Sequence, residues 1–452
     1  MLTGKEVLVA SGIPELDEVL GGGIPAGGVI LLAGHPGSGK STFGAQFLRS
    51  GCASKEPGLY VSFSERKGEV FEHMRRLGLD LESFERAGLL KFLWFPTPLK
   101  TGLDLLLKEI LRAIEEARAK RLVLDSITAL LGAYEEREAR TFLHNLINMG
   151  LKPYGVTTLL IAELPYGREI IGFGFEEFLV DAIFVLKTEE VRGLARRTLE
   201  IRKVRWAEVP RMSYEFIISR GGISLYLPHV RGLEGTFSRE RISTGIRELD
   251  EMLGGGVFRG AAILVTGPSG TGKTLLALTF AVEGAKRGEN VIYVSFEEPV
   301  DQLKTILSYA GLRPGVNPER LKFFSLTPRL FTPGSVLHFF RDLLEEYKPS
   351  RFVVDGLTAL KRHYGDEFLD FIKSFSHMCK YYGTTLMMVS SEDVLGGERI
   401  EVDTVSDVLI ALWFELREDI LTRRIAVLKA RGSHHDFRVR ELRFVEGRVI
   451  IE

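Results

Sequence analysis

Cysteine is nearly absent from this chain: two in 452 residues, Cys52 and Cys379, far apart and in apolar settings. That excludes a disulfide framework and a cysteine-rich metal module, and fits buried free thiols in a reducing compartment. Long apolar runs are missing as well. The strand-like "VILLA" at Val29 to Ala33 is far too short to span a bilayer. The N-terminal "MLTGKEVLVASGI" lacks the basic region and apolar core of a signal peptide, so a cytoplasmic protein without a membrane partner is expected. Asn (four) and Gln (two) are scarce beside Glu, Lys and Arg, and few thermolabile amides suggest a thermophile. Excess charge of either sign is lacking too, because 59 Lys and Arg face 60 Asp and Glu. Nothing global draws the chain to nucleic acid or an anionic membrane, and any basic site must be local.

What is present is repetition. "SGIPELDEVLGGGIPAGGVILLAGHPGSGKS" (Ser11 to Ser41) aligns with "TGIRELDEMLGGGVFRGAAILVTGPSGTGKT" (Thr244 to Thr274). Downstream, "RLVLDSITALL" at Arg121 matches "RFVVDGLTALK" at Arg351, and "LEIRKVR" at Leu199 matches "IAVLKAR" at Ile425. The period is that of a whole domain, not of a short solenoid repeat. The expected domains are residues 1–231 and 232–452, joined through the polar "LPHVRGLEGTFSRER".

Within each copy, short Val-, Ile- and Leu-rich runs alternate with amphipathic helical patterns such as "SVLHFFRDLLEEY". Continuous apolar strands separated by helices predict an α/β fold, a mostly parallel sheet covered on both faces. The last segments of each copy, "RRTLEIRKVR" with "SYEFIIS" and "RRIAVLKAR" with "RELRFVE", alternate like antiparallel strands.

Both copies carry G-x-x-x-x-G-K-[ST] after an apolar strand and before a helix, at Gly34 to Ser41 and Gly267 to Thr274. Glycines let backbone N–H groups converge on phosphate oxygens, and the helix N-terminus adds positive partial charge. The expected ATP-binding set is Gly34, Pro36, Gly37, Ser38, Gly39, Lys40, Ser41 and Thr42 in copy one. In copy two it is Gly267, Ser269, Gly270, Thr271, Gly272, Lys273, Thr274 and Leu275. Lys40 and Lys273 would reach the β- and γ-phosphates. Ser41 and Thr274 would ligate Mg²⁺, helped by Asp125 and Asp355, each closing a strand that reads as central. A carboxylate that polarises the attacking water is expected after the next strand. Copy two has Glu297 and Glu298 in "VSFEEP"; copy one has Ser64 and Glu65 in "VSFSER". A serine is a poor base near neutral pH, so the copies share a cradle and differ at the proton acceptor, with Glu65 the catalytic substitute in copy one if its loop rotates. The pairs Lys203/Arg205 and Lys429/Arg431 lie on a late strand, better placed for a neighbour's γ-phosphate than for their own loop.

These halves, with "STGIRELDEMLGGG", "FEE" and "KARGSHHD", resemble the KaiC-like family, tandem RecA-like ATPases that include a circadian clock protein. The resemblance covers nearly the whole chain. It implies two RecA-like P-loop domains, a homo-hexamer and ATP at subunit interfaces. It also implies Glu297 as base, with Lys429, Arg431, Gly432, Ser433, His435 and Asp436 facing a neighbour's nucleotide. This chain departs from the pattern at Ser64 and at "WAEVP" after Arg205. Where the family's second domain autophosphorylates adjacent Ser and Thr, "EVDTVSD" offers Asp403 and a candidate phosphosite, Thr404. The chain stops at "GRVIIE" without the family's partner-recruiting tail, so timekeeping is not expected.

The favoured function is an ATP-hydrolysing regulatory hexamer with autokinase activity at Thr404. A RecA-type nucleic-acid motor needs basic loops; "TALLGAYEEREAR" is acidic, and Lys187 to Arg211 has eight Lys/Arg against four Glu, a weak surplus. A third reading has copy one holding ATP only structurally. The plainer features are His434 and His435 as part of the nucleotide loop, Trp94, Trp206 and Trp413 as strand-packing aromatics, and "PELDEVLGGG" as a helix with a Gly stop.

Overall fold

The computed structural model describes residues 7–96, 103–132, 134–227, 238–313, 318–393, 401–417, 419–445 and 448–452. The chain forms two compact units, Met1–Leu227 and Pro228–Glu452. The boundary expected between residues 231 and 232 lies outside the described residues.

Unit 1 opens with a two-stranded pair, β1 (Leu8–Val9) against β2 (Ile24–Pro25). Its main strands are β3 (Val29–Gly34), β4 (Gly58–Ser62), β5 (Leu90–Trp94), β6 (Arg121–Asp125), β7 (Thr157–Glu163), β8 (Ala182–Val191), β9 (Leu194–Val204), β10 (Ser213–Ser219) and β11 (Gly222–Leu225). Among the described residues they form one nine-stranded sheet in the order β5-β4-β6-β7-β3-β8-β9-β10-β11. Neighbours from β5 to β8 pair parallel, and the remaining pairs are antiparallel.

Unit 2 repeats this. The short pair is β12 (Arg241–Ile242) with β13 (Val257–Phe258). The main strands are β14 (Ala262–Thr266), β15 (Val291–Ser295), β16 (Leu321–Ser325), β17 (Arg351–Asp355), β18 (Thr385–Ser390), β19 (Val408–Arg417), β20 (Ile420–Ala430), β21 (Arg440–Val445) and β22 (Arg448–Ile451). Their order, β16-β15-β17-β18-β14-β19-β20-β21-β22, is that of unit 1. The expected class is what is found: two tandem α/β units, mostly parallel, with antiparallel strands at the C-terminal side.

Continuous apolar strands are needed here because both faces are covered. Leu32, Tyr60, Val123 and Ile161 pack on one face with Phe43 and Phe47 of the helix Lys40–Ala53. Leu31, Leu59, Leu122, Leu124 and Leu160 pack on the other with Ile110 and Ile114. In each unit the strand that leads into the phosphate loop lies in the sheet interior, as does the strand ending in Asp125 or Asp355. The site is therefore hung from the most constrained part of the fold. Both cysteines are free and buried, as expected. Trp413 lies on β19, whereas Trp206 lies beyond β9, and its indole N–H reaches Gly23 O at 3.1 Å. No helix among the described residues is long and apolar enough to cross a membrane.

Candidate active site

Each phosphate loop leaves a central strand and turns into a fourteen-residue helix, Lys40–Ala53 or Lys273–Lys286. The turn demands glycine: Gly39 and Gly272 precede the helix with φ of 103° and 102°. A Cβ on Gly39 would lie 2.7 Å from Ile218 Cδ1, and on Gly272 it would collide with the ring of Phe444. The last hairpin of each unit thus packs against the back of its loop. Pro36, Gly37, Ser269 and Gly270 form the exposed tips, with Gly34, Ser38, Gly267 and Thr271 buried beneath. Thr42 is buried and Leu275 half-buried on the first helical turn.

The loops are shaped for an anion. Lys40 Nζ donates to Gly34 O (3.0 Å) and His35 O (2.9 Å), and Lys273 Nζ donates to Pro268 O (2.8 Å). Burial lowers both lysine pKa values, while Glu163 and Asp125 around Lys40 and Asp355, Glu297 and Glu298 around Lys273 partly oppose it. Ser38 Oγ is buried in its loop without a hydrogen-bond partner among the described atoms, whereas Thr271 Oγ1 donates to Pro268 O at 2.8 Å. A half-desolvated ammonium, an unsatisfied hydroxyl in unit 1 and a glycine-rich turn suit a polyphosphate.

The aspartates stand beside the loops. Asp125 Oδ2 accepts Ser41 Oγ (2.8 Å), and Thr274 is bonded through its side chain to Asp355. Sequence reasoning missed the next partner: Tyr60 OH donates to Asp125 Oδ2 at 2.5 Å, and Tyr293 OH to Asp355 Oδ2 at 2.6 Å. Both tyrosines are fully buried. Burial and the adjacent aspartate push their pKa values far up, so they remain donors. A tyrosine in an apolar strand reads as core; only its recurrence at matched positions signals more.

Glu297 and Glu298 follow β15, their backbone N–H groups both on Ser295 Oγ (3.2 and 2.8 Å). Burial, then Asp355, raises both pKa values; Lys273 and Arg362 oppose the rise at Glu297. In unit 1, Glu65 is raised by burial and Asp125 and lies 4.0 Å from His73 Nδ1.

The Lys-x-Arg pairs lie elsewhere. Lys203 Nζ donates to Glu177 O and Val180 O (both 2.8 Å), and Arg205 meets Asp181 at 3.4 Å. Lys429 Nζ donates to Asp403 O (2.5 Å) and Ser406 O (2.7 Å), and Arg431 meets Thr404 O at 3.3 Å and Asp407 at 3.9 Å. Asp181 and Asp407 in turn accept the N–H of Val29 and Ala262, where β3 and β14 begin. The loops follow the other ends of those strands. At about 3.3 Å per residue the cations stand roughly 15 Å from their own loop. A bulge at the same place in both units, between Ile183/Phe184 and Leu409/Ile410, sets the lysines facing this edge.

Gly432, Ser433, His435 and Asp436 continue from this edge. Ser433 Oγ donates to Leu253 O (3.0 Å) and accepts Arg241 Nη2 (2.6 Å), while Asp436 N–H donates to Met252 O (2.8 Å). Arg438 and Arg440 hold the Asp436 carboxyl well below the usual range. His435 packs 4.2 Å from the Phe437 ring. The helix with its Gly stop is thus also the seat of this loop. In unit 1 the Trp206–Gly23 bond replaces it. Thr404 is exposed at the end of the turn Glu401–Thr404, on the same edge. Near the loop of unit 2, Arg423 Nε donates to Gly270 O at 3.2 Å, with its guanidinium 5.2 Å from the Phe444 ring; nothing in the sequence pattern pointed to it.

A model of the KaiC ATPase domain matches residues 9–230 and again 242–451. The chain belongs to the KaiC ATPase family. It is 32% identical over 464 residues to a "Circadian clock oscillator protein KaiC" of Picosynechococcus, covering 97% of this chain and 88% of that one. It is 33% identical to "Circadian clock protein KaiC3" of Synechocystis, with 95% and 89% covered. A KaiC of Rippkaea orientalis is 33% identical, with 95% and 85% covered. Membership in the KaiC family makes this a tandem-domain, nucleotide-binding ATPase.

Proposed function

We propose that this KaiC-family ATPase is a homo-hexameric regulatory ATPase whose nucleotides sit between subunits. One observation carries the reading. In both units the Lys-x-Arg pair is anchored at the sheet edge opposite its own phosphate loop. Lys203, Arg205, Lys429 and Arg431 then serve a neighbour's γ-phosphate, joined in unit 2 by Gly432, Ser433 and His435. In other P-loop enzymes a cation supplied in trans is worth about 10³–10⁵ in rate. A γ-phosphate gripped from both sides ties subunits together, and its loss on hydrolysis loosens them.

Within one pocket the division of labour follows the chemistry of the side chains. Lys40 and Lys273 bind the β- and γ-phosphates. Mg²⁺, held by Ser41 with Asp125 or by Thr274 with Asp355, would neutralise charge on those phosphates. Glu297, with Glu298 beside it, accepts the proton of the attacking water in unit 2. The cation-bearing edge also carries Thr404, which supports phosphoryl transfer to its hydroxyl from a neighbour's ATP.

The test is native mass measurement with and without Mg·ATP, paired with ATPase assays of Lys40→Ala and Lys273→Ala. ATP-dependent hexamers are expected. Lys273→Ala should remove most hydrolysis and Lys40→Ala should mainly weaken assembly. Equal loss from both would overturn the ranking. Strong stimulation by single-stranded DNA would favour the motor reading. Mass mapping after incubation with Mg·ATP should find phosphate on Thr404 and none in Thr404→Ala.

A further inference from the structure

Unit 1 lacks a carboxylate at Ser64, yet its cradle is complete. The strand registers show where another carboxylate stands. In unit 1, Asp125 is level with Ser62 on β4 and with Ile161 on β7. Two residues beyond those partners come Ser64 on one side and Glu163 on the other. In unit 2, Asp355 is level with Ser295 and Val389. Two residues beyond come Glu297 and Ser391. The two copies have exchanged carboxylate and serine across the strand that carries the aspartate.

The exchange fits the surroundings. Glu163 N–H donates to Thr128 Oγ1 and Ser391 N–H to Thr358 Oγ1, both at 2.9 Å, so the two strand ends are held alike. Glu163 is the register partner of Gly34, whose carbonyl carries Lys40 Nζ at 3.0 Å. Strand parity puts Glu163 on the face of Ile161, the face of the phosphate-loop helix. On the other flank, a Cβ at Gly356 would lie 2.9 Å from Glu297 Cγ. Unit 1 has Ser126 there, and Ser64 opposite it needs no such room.

We infer that Glu163 is a catalytic residue of unit 1, the acceptor of the water proton for ATP hydrolysis at the Gly34–Ser41 loop. The inference rests on the proposed reading that this loop holds ATP. The water oxygen bonds to the γ-phosphorus as its proton passes to the Glu163 carboxylate. The bond from that phosphorus to the β–γ bridging oxygen breaks, and its electron pair leaves on ADP. Glu163 then loses the proton to solvent as inorganic phosphate departs.

The experiment uses the full chain with Glu297→Gln and Glu298→Gln, which silences unit 2. Single-turnover hydrolysis, the bound ATP-to-ADP ratio after acid quench, and the affinity for a fluorescent ATP analogue are measured with and without Glu163→Gln. Removing a general base should slow turnover about 10²-fold or more. The bound nucleotide should remain ATP, and affinity should be nearly unchanged. Loss with Glu65→Gln and none with Glu163→Gln would overturn the inference. So would tighter ATP binding with unchanged turnover, which would make Glu163 only a partner of Lys40. A parent that binds ATP in unit 1 without turning it over defeats the inference and spares the pocket. A parent with no ATP in unit 1 defeats both. Glu163 is exposed, so the isosteric change should leave the melting temperature in place, which is checked alongside.

Discussion

The tyrosine hydroxyls show what a single buried atom does in this fold. Tyr293 OH fixes the Asp355 carboxylate through Oδ2, and Thr274 of the loop is also bonded to that carboxylate through its side chain. A hydrogen bond to a charged group is worth about 1.5–3 kcal/mol, and here its loss would leave a buried carboxylate oxygen short of a donor. Tyr293→Phe is therefore expected to reduce the tightening of ATP binding by Mg²⁺ while leaving Mg²⁺-free binding intact, as titration calorimetry would show. Arg351 acts on stability instead. It is fully buried, stacks 4.4 Å from the Phe280 ring, donates to Ser243 O and Phe280 O, and pairs with Glu289. Arg121 repeats each contact with Phe47, Ala10 and Glu56. Arg351→Met takes the buried partner from Glu289, leaving it only Arg259 at 3.6 Å, and should cost about 3 kcal/mol in denaturant unfolding. Neither residue was legible beforehand, since a Tyr in the middle of an apolar strand or an Arg at the start of one has no pattern of its own. The loop lysines, the aspartates and Glu297 could be singled out in the sequence because the chemistry expected of them requires fixed spacing, and the structure brings them together around each loop.

Glu297 also carries a pH prediction. Burial and Asp355 raise its pKa above the ordinary 4.5, against the pull of Lys273 and Arg362. Acting as the proposed base, Glu297 must be ionised, so hydrolysis is expected to fall on acidification at a pH above that ordinary value. Arg362→Ala removes a compensating cation and should move the acid limb of the rate profile further up. A downward move would mean that another group sets the limb.

At the scale of elements, the Gly-rich leader and the late strand prove to be one device. The helix Arg247–Met252 is bound by its own aspartate, Asp250 Oδ1 accepting Thr244 N–H at 2.7 Å, and Gly254 after it makes room for residues 432–436. Gly254 has φ of 73°, and a Cβ there would lie 2.7 Å from His434 O. Gly254→Ala is expected to displace that loop, cost on the order of 1 kcal/mol in stability, and weaken ATP-dependent assembly far more than it lowers the melting temperature. Sequence pattern predicted the strands and their hand-over from parallel to antiparallel, because apolar continuity and alternation are local signals. It could not show that "LGGG" seats "GSHHD", since the two stretches lie far apart in sequence.

At the scale of the whole molecule, duplication has kept one sheet order and one set of anchors while the carboxylates near the aspartate have diverged. Each unit presents a phosphate loop at one end of its central strand and cations at the other, which is why the proposed pocket takes its two sides from two copies. The most direct test mixes two proteins silenced only in unit 2, Lys273→Ala, which keeps the cations, and Arg431→Ala, which keeps the loop, and follows the hydrolysis above the unit 1 background. Random 1:1 assemblies hold intact pockets at about a quarter of interfaces, so the mixture should recover hydrolysis in roughly that proportion. A mixture no more active than either protein alone would contradict a pocket shared between subunits.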